Sequence, residues 1–321
     1  MATSTSIPEA LWAQQVPLHI THPDYPNTPF VTSLPRFSYL PLLLPRLNAF
    51  FRPDPDPSTG HHHAHLSSFH HHDESPPSSS SSSSPATSDG VLLRNLPLGL
   101  LVDLYRPSLP WRLTVRDGPA WDVADTFLNA AKEADFARYG SARRIMSLSQ
   151  PDTEALWHAV RDNDRASFAR VNALLLDAPT PLRAVPLRLY VPSAPDPGTG
   201  PGGSSSSSPP AEPGTFKVLQ ALIPPREAAA PTPSSTPHSP SSPSASSLAN
   251  VTSRHRQPSQ QRRLGSVLRS LLPALFPSSR DPVLANVLLH GATVPFSAPV
   301  EDLMREAAYP DGWLCLTVVV L

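Results

Sequence analysis

Three stretches of this chain hold almost nothing that could enter a core, and they decide how the remainder can fold. Residues 53–88, 193–214 and 226–261 are dominated by proline, serine, histidine and glycine. Such segments cannot bury enough apolar surface to offset the entropy of ordering them, so all three read as low-complexity insertions that stay unpacked. Setting them aside leaves roughly 230 residues, which is room for two or three modest cores and not for one large one. Between the insertions, hydrophobic periodicity returns.

Residues 1–15 open with Ser6-Ile7-Pro8-Glu9, a capping box with proline in the first turn. It predicts a short N-terminal helix over 8–15 that presents Leu11 and Trp12. In the unit 16–117, apolar and polar residues alternate over 16–21 and 111–116, and 30–36 reads as extended too. A shorter strand is expected at 91–95. Leu40, Leu43, Leu44, Leu47 and Phe51 recur at helical spacing over 38–51, where Pro41 and Pro45 bend or delay the helix. Residues 97–104 read as a helical turn under the sheet. The order is strand, strand, helix, strand, short helix, strand.

The unit 118–181 is helical. A first helix over 121–140 stops at Gly140, and a brief one over 141–148 carries Arg143 and Arg144. Ser149, Pro151 and Asp152 open another, containing Leu156, Trp157 and Val160. Asp164 caps a last helix whose face is Phe168, Val171, Leu174 and Leu175. The unit 182–321 returns to the earlier order. Strands at 184–191 and 216–223, a helix at 264–276, a strand at 286–290, a helix at 300–308 and a strand at 313–321 are expected. The fold class is therefore α+β: two units of ubiquitin-like β-grasp order flank a helix-rich bundle, preceded by a short N-terminal helix. A ubiquitin-type modifier needs a slim tail ending in Gly-Gly. The sequence instead runs into LTVVVL within a strand, so a scaffold or an acceptor is expected, not an activated modifier.

Several function classes drop out. A formal net charge of −1 gives no whole-chain field for nucleic acid. No G-x-S-x-G, H-E-x-x-H or G-x-x-x-x-G-K-[ST] motif occurs, and Cys315 reads as a small buried hydrophobe, so no enzyme and no thioester carrier is expected. No cofactor is implied. His61, His62, His63, His65, His70, His71 and His72 could ligate a metal, but they sit in a biased tract without a second cluster, and composition is the better account. A single cysteine, no signal peptide and no apolar run of about 20 residues point to a cytosolic protein. Arg254, Arg256, Arg262 and Arg263 precede the amphipathic pattern at 264–276, which makes peripheral contact with anionic lipid conceivable beside its core role.

The sequence has 23 arginines and only two lysines, Lys132 and Lys217. A guanidinium cannot be deprotonated in a protein and is no nucleophile, whereas acyl transfer needs an amine. Lys132 lies mid-helix, off the apolar stripe of Val123, Phe127, Ala130, Ala131 and Ala134, next to Glu133 and Asp135. A solvated lysine favoured as ammonium by acidic neighbours is the plain reading. Taken as a nucleophile, it needs an outside enzyme to present the electrophile and take its proton.

Together, FLNAAKEADFARYG, PLGLLVDLYRPSLPWRLTV, VPLRLYVP, VLLHG and YPDGWLCLTVVV resemble the autophagy-related protein 5 family, in a fungal type with low-complexity insertions. The likeness covers nearly all of the chain outside the insertions, and KEAD is its most specific part. It implies two ubiquitin-like domains flanking a helix-rich domain. It also implies that Lys132 accepts an isopeptide bond from the C-terminal glycine of the ubiquitin-like autophagy protein 12, delivered by E2-like conjugation enzymes. The conjugate is then expected to bind the coiled-coil autophagy protein 16, by helix-in-groove recognition. As an E3-like complex it would promote transfer of autophagy protein 8 to phosphatidylethanolamine, in the cytoplasm and peripherally on the preautophagosomal structure membrane. The competing expectation is a ubiquitin-like adaptor that binds without any covalent chemistry.

Overall fold

The computed structural model describes residues 5–52, 66–71, 91–118, 122–176, 180–193, 216–227 and 260–321. Helix α1 (Ile7–Ala13) opens on the capping box: the Glu9 N–H donates to Ser6 Oγ, and the Ser6 N–H donates to the Glu9 carboxylate at 3.1 Å. It stops short of residue 15 because Gln14 is already extended and β1 (Gln15–His22) begins. β1 pairs antiparallel with β2 (Tyr25–Pro35). β2 starts earlier than the predicted 30–36, since its first four residues are all exposed and leave no alternation to detect. Pro41 and Pro45 do not break a helix; each sits in the opening turn of one, a 3-10 turn (Leu40–Leu43) and α2 (Leu44–Phe51).

The reading of 53–88 as unpacked is corrected at its centre. Residues 66–71 form β3 (Leu66–His71), with Leu66 and Phe69 buried. The strand expected at 91–95 shrinks to β4 (Val91–Leu92) at the sheet margin. A strand that contributes two core side chains is invisible once composition is averaged over a serine- and histidine-rich block. The rest of that block lies outside the described residues. After α3 (Leu98–Tyr105) comes β5 (Trp111–Asp117), and the first sheet has the order β2-β1-β5-β3-β4 with β1 and β5 parallel at its centre.

The bundle follows. α4 (Val123–Tyr139) is capped by the Asp122 carboxylate, which accepts from the Asp125 N–H, and it ends at Gly140 with φ 74°. α5 (Arg143–Met146) is a single turn. α6 (Gln150–Asp162) opens on Ser149, and α7 (Arg165–Leu176) on Asp164, whose carboxylate accepts from the Ala166 and Ser167 N–H groups. The Ser149 and Asp164 caps and the Gly140 stop fall where the sequence put them; the Asp122 cap is an addition.

The second sheet is built from β6 (Val185–Pro192), β7 (Phe216–Ile223), β8 (Ala285–Leu289), β9 (Ala292–Thr293) and β10 (Leu314–Val320). Helices α8 (Leu264–Leu271) and α9 (Val300–Ala307) belong to the same lobe. α8 is shorter than the predicted 264–276 because Leu272 leaves the helix ahead of Pro273. The block 226–261 begins and ends in order: Arg226 bridges Gln261, and the Glu227 N–H donates to the Gln260 carbonyl. Residues 194–215 and 228–259, with Arg254 and Arg256, lie outside the described residues. β8 ends one residue early because His290 and Gly291 both adopt positive φ, 53° and 81°, as a two-residue hairpin to β9 requires. Sheet order is β7-β6-β10-β8-β9 with β6 and β10 parallel, which repeats the first lobe strand for strand.

The lobes meet through a buried charge. Arg36, 6% exposed, donates from Nη2 to the Asp103 carboxylate at 2.5 Å and to the Gly99 carbonyl at 3.1 Å. Its Nε donates to His290 Nδ1 of the second lobe at 3.4 Å. Because a guanidinium only donates, His290 Nδ1 must accept, and Nε2–H is left to donate to the Ala307 carbonyl at 2.8 Å. Burial, with Arg36 adding to it, pushes the His290 pKa down to about 4.

Between pH 6.5 and 4 the unfolded chain therefore binds a proton at His290 that the folded chain refuses. The stabilisation from this residue is full above about pH 6.5 and is lost as pH falls toward 4, by about 3 kcal/mol in all. The raised carboxyls of Asp103, Asp135 and Asp311 act in the opposite sense and are common to wild type and variant. Urea titrations across this window should show wild type losing stability relative to His290→Gln by up to about 1.4 kcal/mol per pH unit. Parallel curves would remove His290 from the account.

Candidate functional site

Lys132 lies midway along α4, half-buried, and among the described residues its amine has no hydrogen bond or ion pair. Phe136, one turn on, is 56% exposed. The acidic neighbours do not meet the amine as expected from sequence adjacency. Successive residues on a helix point about 100° apart, and each carboxylate is used elsewhere. Glu133 accepts from Arg188 of β6 at 2.9 Å. Asp135 is fully buried, and its carboxylate accepts from the Ile145 N–H at 3.1 Å.

The helix that carries Lys132 is fastened to the second lobe at three points. Trp313 donates from Nε1 to the Ala130 carbonyl at 3.0 Å. The Arg188 guanidinium lies 3.9 Å from the Trp313 ring centroid while it holds Glu133, so one side chain ties strand, indole and helix together. Arg138 donates to the Gly312 carbonyl at 2.6 Å, and the Arg183 N–H donates to the Arg138 carbonyl at 2.7 Å. Burial lowers the Arg138 pKa, opposed by the nearby Tyr139, Asp135 and Asp311.

A second feature lies where the three units and α1 come together. A cavity of about 250 Å³ is walled by Trp12, Phe37, Phe168, Ala173, Met304 and Tyr309. The Trp12 ring is 5.4 Å from Phe37 and 5.0 Å from Phe168, so α1 joins the first lobe to the bundle at this point. Arg138, Arg165, Arg305 and Glu306 bring charge to the same cavity. Its size suits one or two large side chains of something laid across it.

The histidine tract divides. His61, His62, His63, His65 and His72 lie outside the described residues. His71 Nδ1 accepts from Trp111 Nε1 at 3.0 Å, and His70 lies 3.3 Å from Ser68 Oγ. Both belong to strand β3. Cys315 is buried, and burial pushes its thiol pKa well up, which removes it as a thioester nucleophile. Lys217 is exposed on β7. Sequence reasoning missed Arg188, Trp313 and Gly312 as the fastening of α4. The signal available was a single charge inside VPLRLYVP, a strand otherwise wholly apolar.

Comparison with known proteins follows the same division. Models of the autophagy protein ATG5 match residues 11–117 (UblA domain), 122–178 (alpha-helical bundle region) and 184–318 (UblB domain). Autophagy protein 5 of Pyricularia oryzae is 52% identical over 99% of this chain and 82% of its own length. Autophagy-related protein 5 of Gibberella zeae is 50% identical over 99% of this chain and 100% of its own. The crystal structure of Kluyveromyces marxianus Atg5 superposes with a TM-score of 0.62 at 20% identity, covering 98% of this chain and 99% of that one.

Gly312 sits at φ 86°, and a Cβ there would come within 2.2 Å of the Arg138 guanidinium and 3.1 Å of Ala134 Cβ. Gly312→Ala should therefore both strain the turn and push α4 off its seat, at a cost of about 2–4 kcal/mol. Hydrogen exchange should show α4 amides losing protection well before those of the first sheet; uniform loss across the chain would contradict a local fastening.

Proposed function

The chain belongs to the autophagy protein 5 family, and from that premise we propose that Lys132 is the acceptor of an isopeptide bond from the C-terminal glycine of autophagy protein 12. The observation that carries the reading is the seat of Lys132: an amine without a partner, on a helix pinned at both flanks to the lobe beside it. In the reaction the amine nitrogen attacks the thioester carbonyl carried by an E2-like enzyme. The new amide bond forms as the carbon–sulfur bond breaks, the thiolate leaves, and the nitrogen gives up a proton. Glu133 is bound to Arg188 and Asp135 is buried, so neither is placed to take that proton. The enzyme must supply the base. Lys132 is thus a substrate, and the protein's own part is to hold it still.

Autophagy protein 16 is the second partner. The cavity between α1, α7 and α9 is its proposed seat, because an amphipathic helix laid across three units can anchor one or two apolar side chains there. The assembled conjugate would act as an E3-like complex, promoting transfer of autophagy protein 8 to phosphatidylethanolamine. No helix among the described residues is long and apolar enough to cross a membrane, which accords with the proposed peripheral place on the preautophagosomal structure membrane.

Lys132→Arg keeps the charge and removes the acceptor. In cells it should abolish the higher-mass conjugate while thermal stability and autophagy protein 16 binding stay at wild-type levels. An unchanged conjugate would move the acceptor to Lys217, and absence of any conjugate in wild type would favour a non-covalent adaptor. Ala173→Arg should do the reverse. By filling the cavity it should weaken autophagy protein 16 binding by about 30-fold or more, roughly 2 kcal/mol, with conjugation retained. Unaltered binding would place that partner elsewhere.

A further inference from the structure

Each sheet has two margins, and an open margin is a row of unpaired N–H and C=O groups that invites another strand. Three of the four margins here are blunted. β4 and β9 are only two residues long. β2 carries Pro26, Pro29 and Pro35, which cannot donate to a ladder. The fourth margin, β7, is eight residues without a proline, FKVLQALI, and its only strand partner among the described residues is β6. Val218 and Leu222 are 40% and 52% exposed on it.

The register says which groups point outward. Pro186 and Pro192 of β6 stand opposite Leu222 and Phe216. β10 covers β6 only from Leu187 to Tyr190, so the two prolines fall just past its ends, where no N–H is required of them. Val185, Leu187, Leu189 and Val191 then exchange the hydrogen bonds with β7. On β7 the residues left with outward N–H and C=O groups are Phe216, Val218, Gln220 and Leu222.

Three of these, Val218, Gln220 and Leu222, are complementary to themselves. Run antiparallel against a second copy with a two-fold axis at Gln220, Val218 falls opposite Leu222, Gln220 opposite Gln220, and Leu222 opposite Val218. Each apolar side chain meets an apolar partner, and the central amides can pair with each other. Lys217 falls opposite Ile223, which keeps the two lysines about 20 Å apart and avoids a like-charge contact. We propose that β7 is a self-pairing edge through which two copies of this chain join their second sheets antiparallel about Gln220. The pairing covers one strand per copy and is weak alone, so anything that already brings two copies together would raise its occupancy.

Sedimentation of the full chain from about 5 to 300 µM should show a concentration-dependent dimer. Gln220→Pro deletes an outward N–H together with the central side-chain amide, both on the proposed dimer edge, and should raise the dissociation constant at least about tenfold, with its melting curve confirming that it folds. Crosslinking fixes the register independently. Cys315 is buried and gives little background, so Gln220→Cys should oxidise to a disulfide dimer by itself, whereas Leu222→Cys should do so only when mixed with Val218→Cys. A monomer throughout the range, a dimer indifferent to Gln220→Pro, or Leu222→Cys linking to itself as readily as Gln220→Cys would each overturn the proposal.

Discussion

Arg36 carries a guanidinium charge, and it lies between two lobes with almost no access to water. Desolvating a guanidinium is costly unless its donors are met, and here they are met from both sides of a boundary. Asp103 and Gly99 belong to the first lobe and His290 to the second. A rotation of one lobe against the other would strip the charge of a partner without giving it water in return. The same residues set the cavity: Phe37 follows Arg36 directly and packs edge-on against both His290 and Tyr309, with ring centroids 5.4 and 5.8 Å apart. The electrostatic tie and the shape of the wall beside it are one arrangement.

Seating Lys132 uses the same logic at a second boundary. α4 shares an apolar core with the second lobe through Phe127, Ala131, Ala134 and the strands beneath. Apolar packing alone would tolerate a slide along the helix axis. The directional bonds from Trp313 and Arg138 do not, because each is made to one backbone carbonyl. The Lys132 amine on such a helix is held to one direction of approach.

Most of the local structure was legible in the sequence because its causes are local. Ser6, Ser149 and Asp164 cap the helices that follow them, Gly140 ends α4, and the repeated element order gave the two β-grasp lobes. What escaped was set by distant residues. β3 lies in a block whose average composition argues against any strand, and its pairing with β5 and β4 makes it one. Arg36, Asp103 and His290 are 67 and 254 residues apart along the chain from the arginine, so no window contains them. Asp103 did leave a trace, as the one charge in LGLLVDLY. A lone charge in an apolar run asks where its partner is, and the sequence cannot say.

The two lobes share a topology yet hold different ranks in the assembly, and their strands show why. Along β1 buried and exposed residues alternate, as in a sheet covered on one face. β6 and β10 are buried almost continuously. Leu187, Leu189, Leu314 and Leu316 form one face of that pair, and Arg188, Tyr190, Cys315 and Thr317 the other, against the bundle and the first lobe. The second lobe is therefore the hub, and its central strands do two jobs at once. Changes on the leucine face weaken the lobe itself. Changes at Tyr190 or Thr317 act on the docking of α3 and α4, and so reach the seat of Lys132 without altering the sheet that bears them.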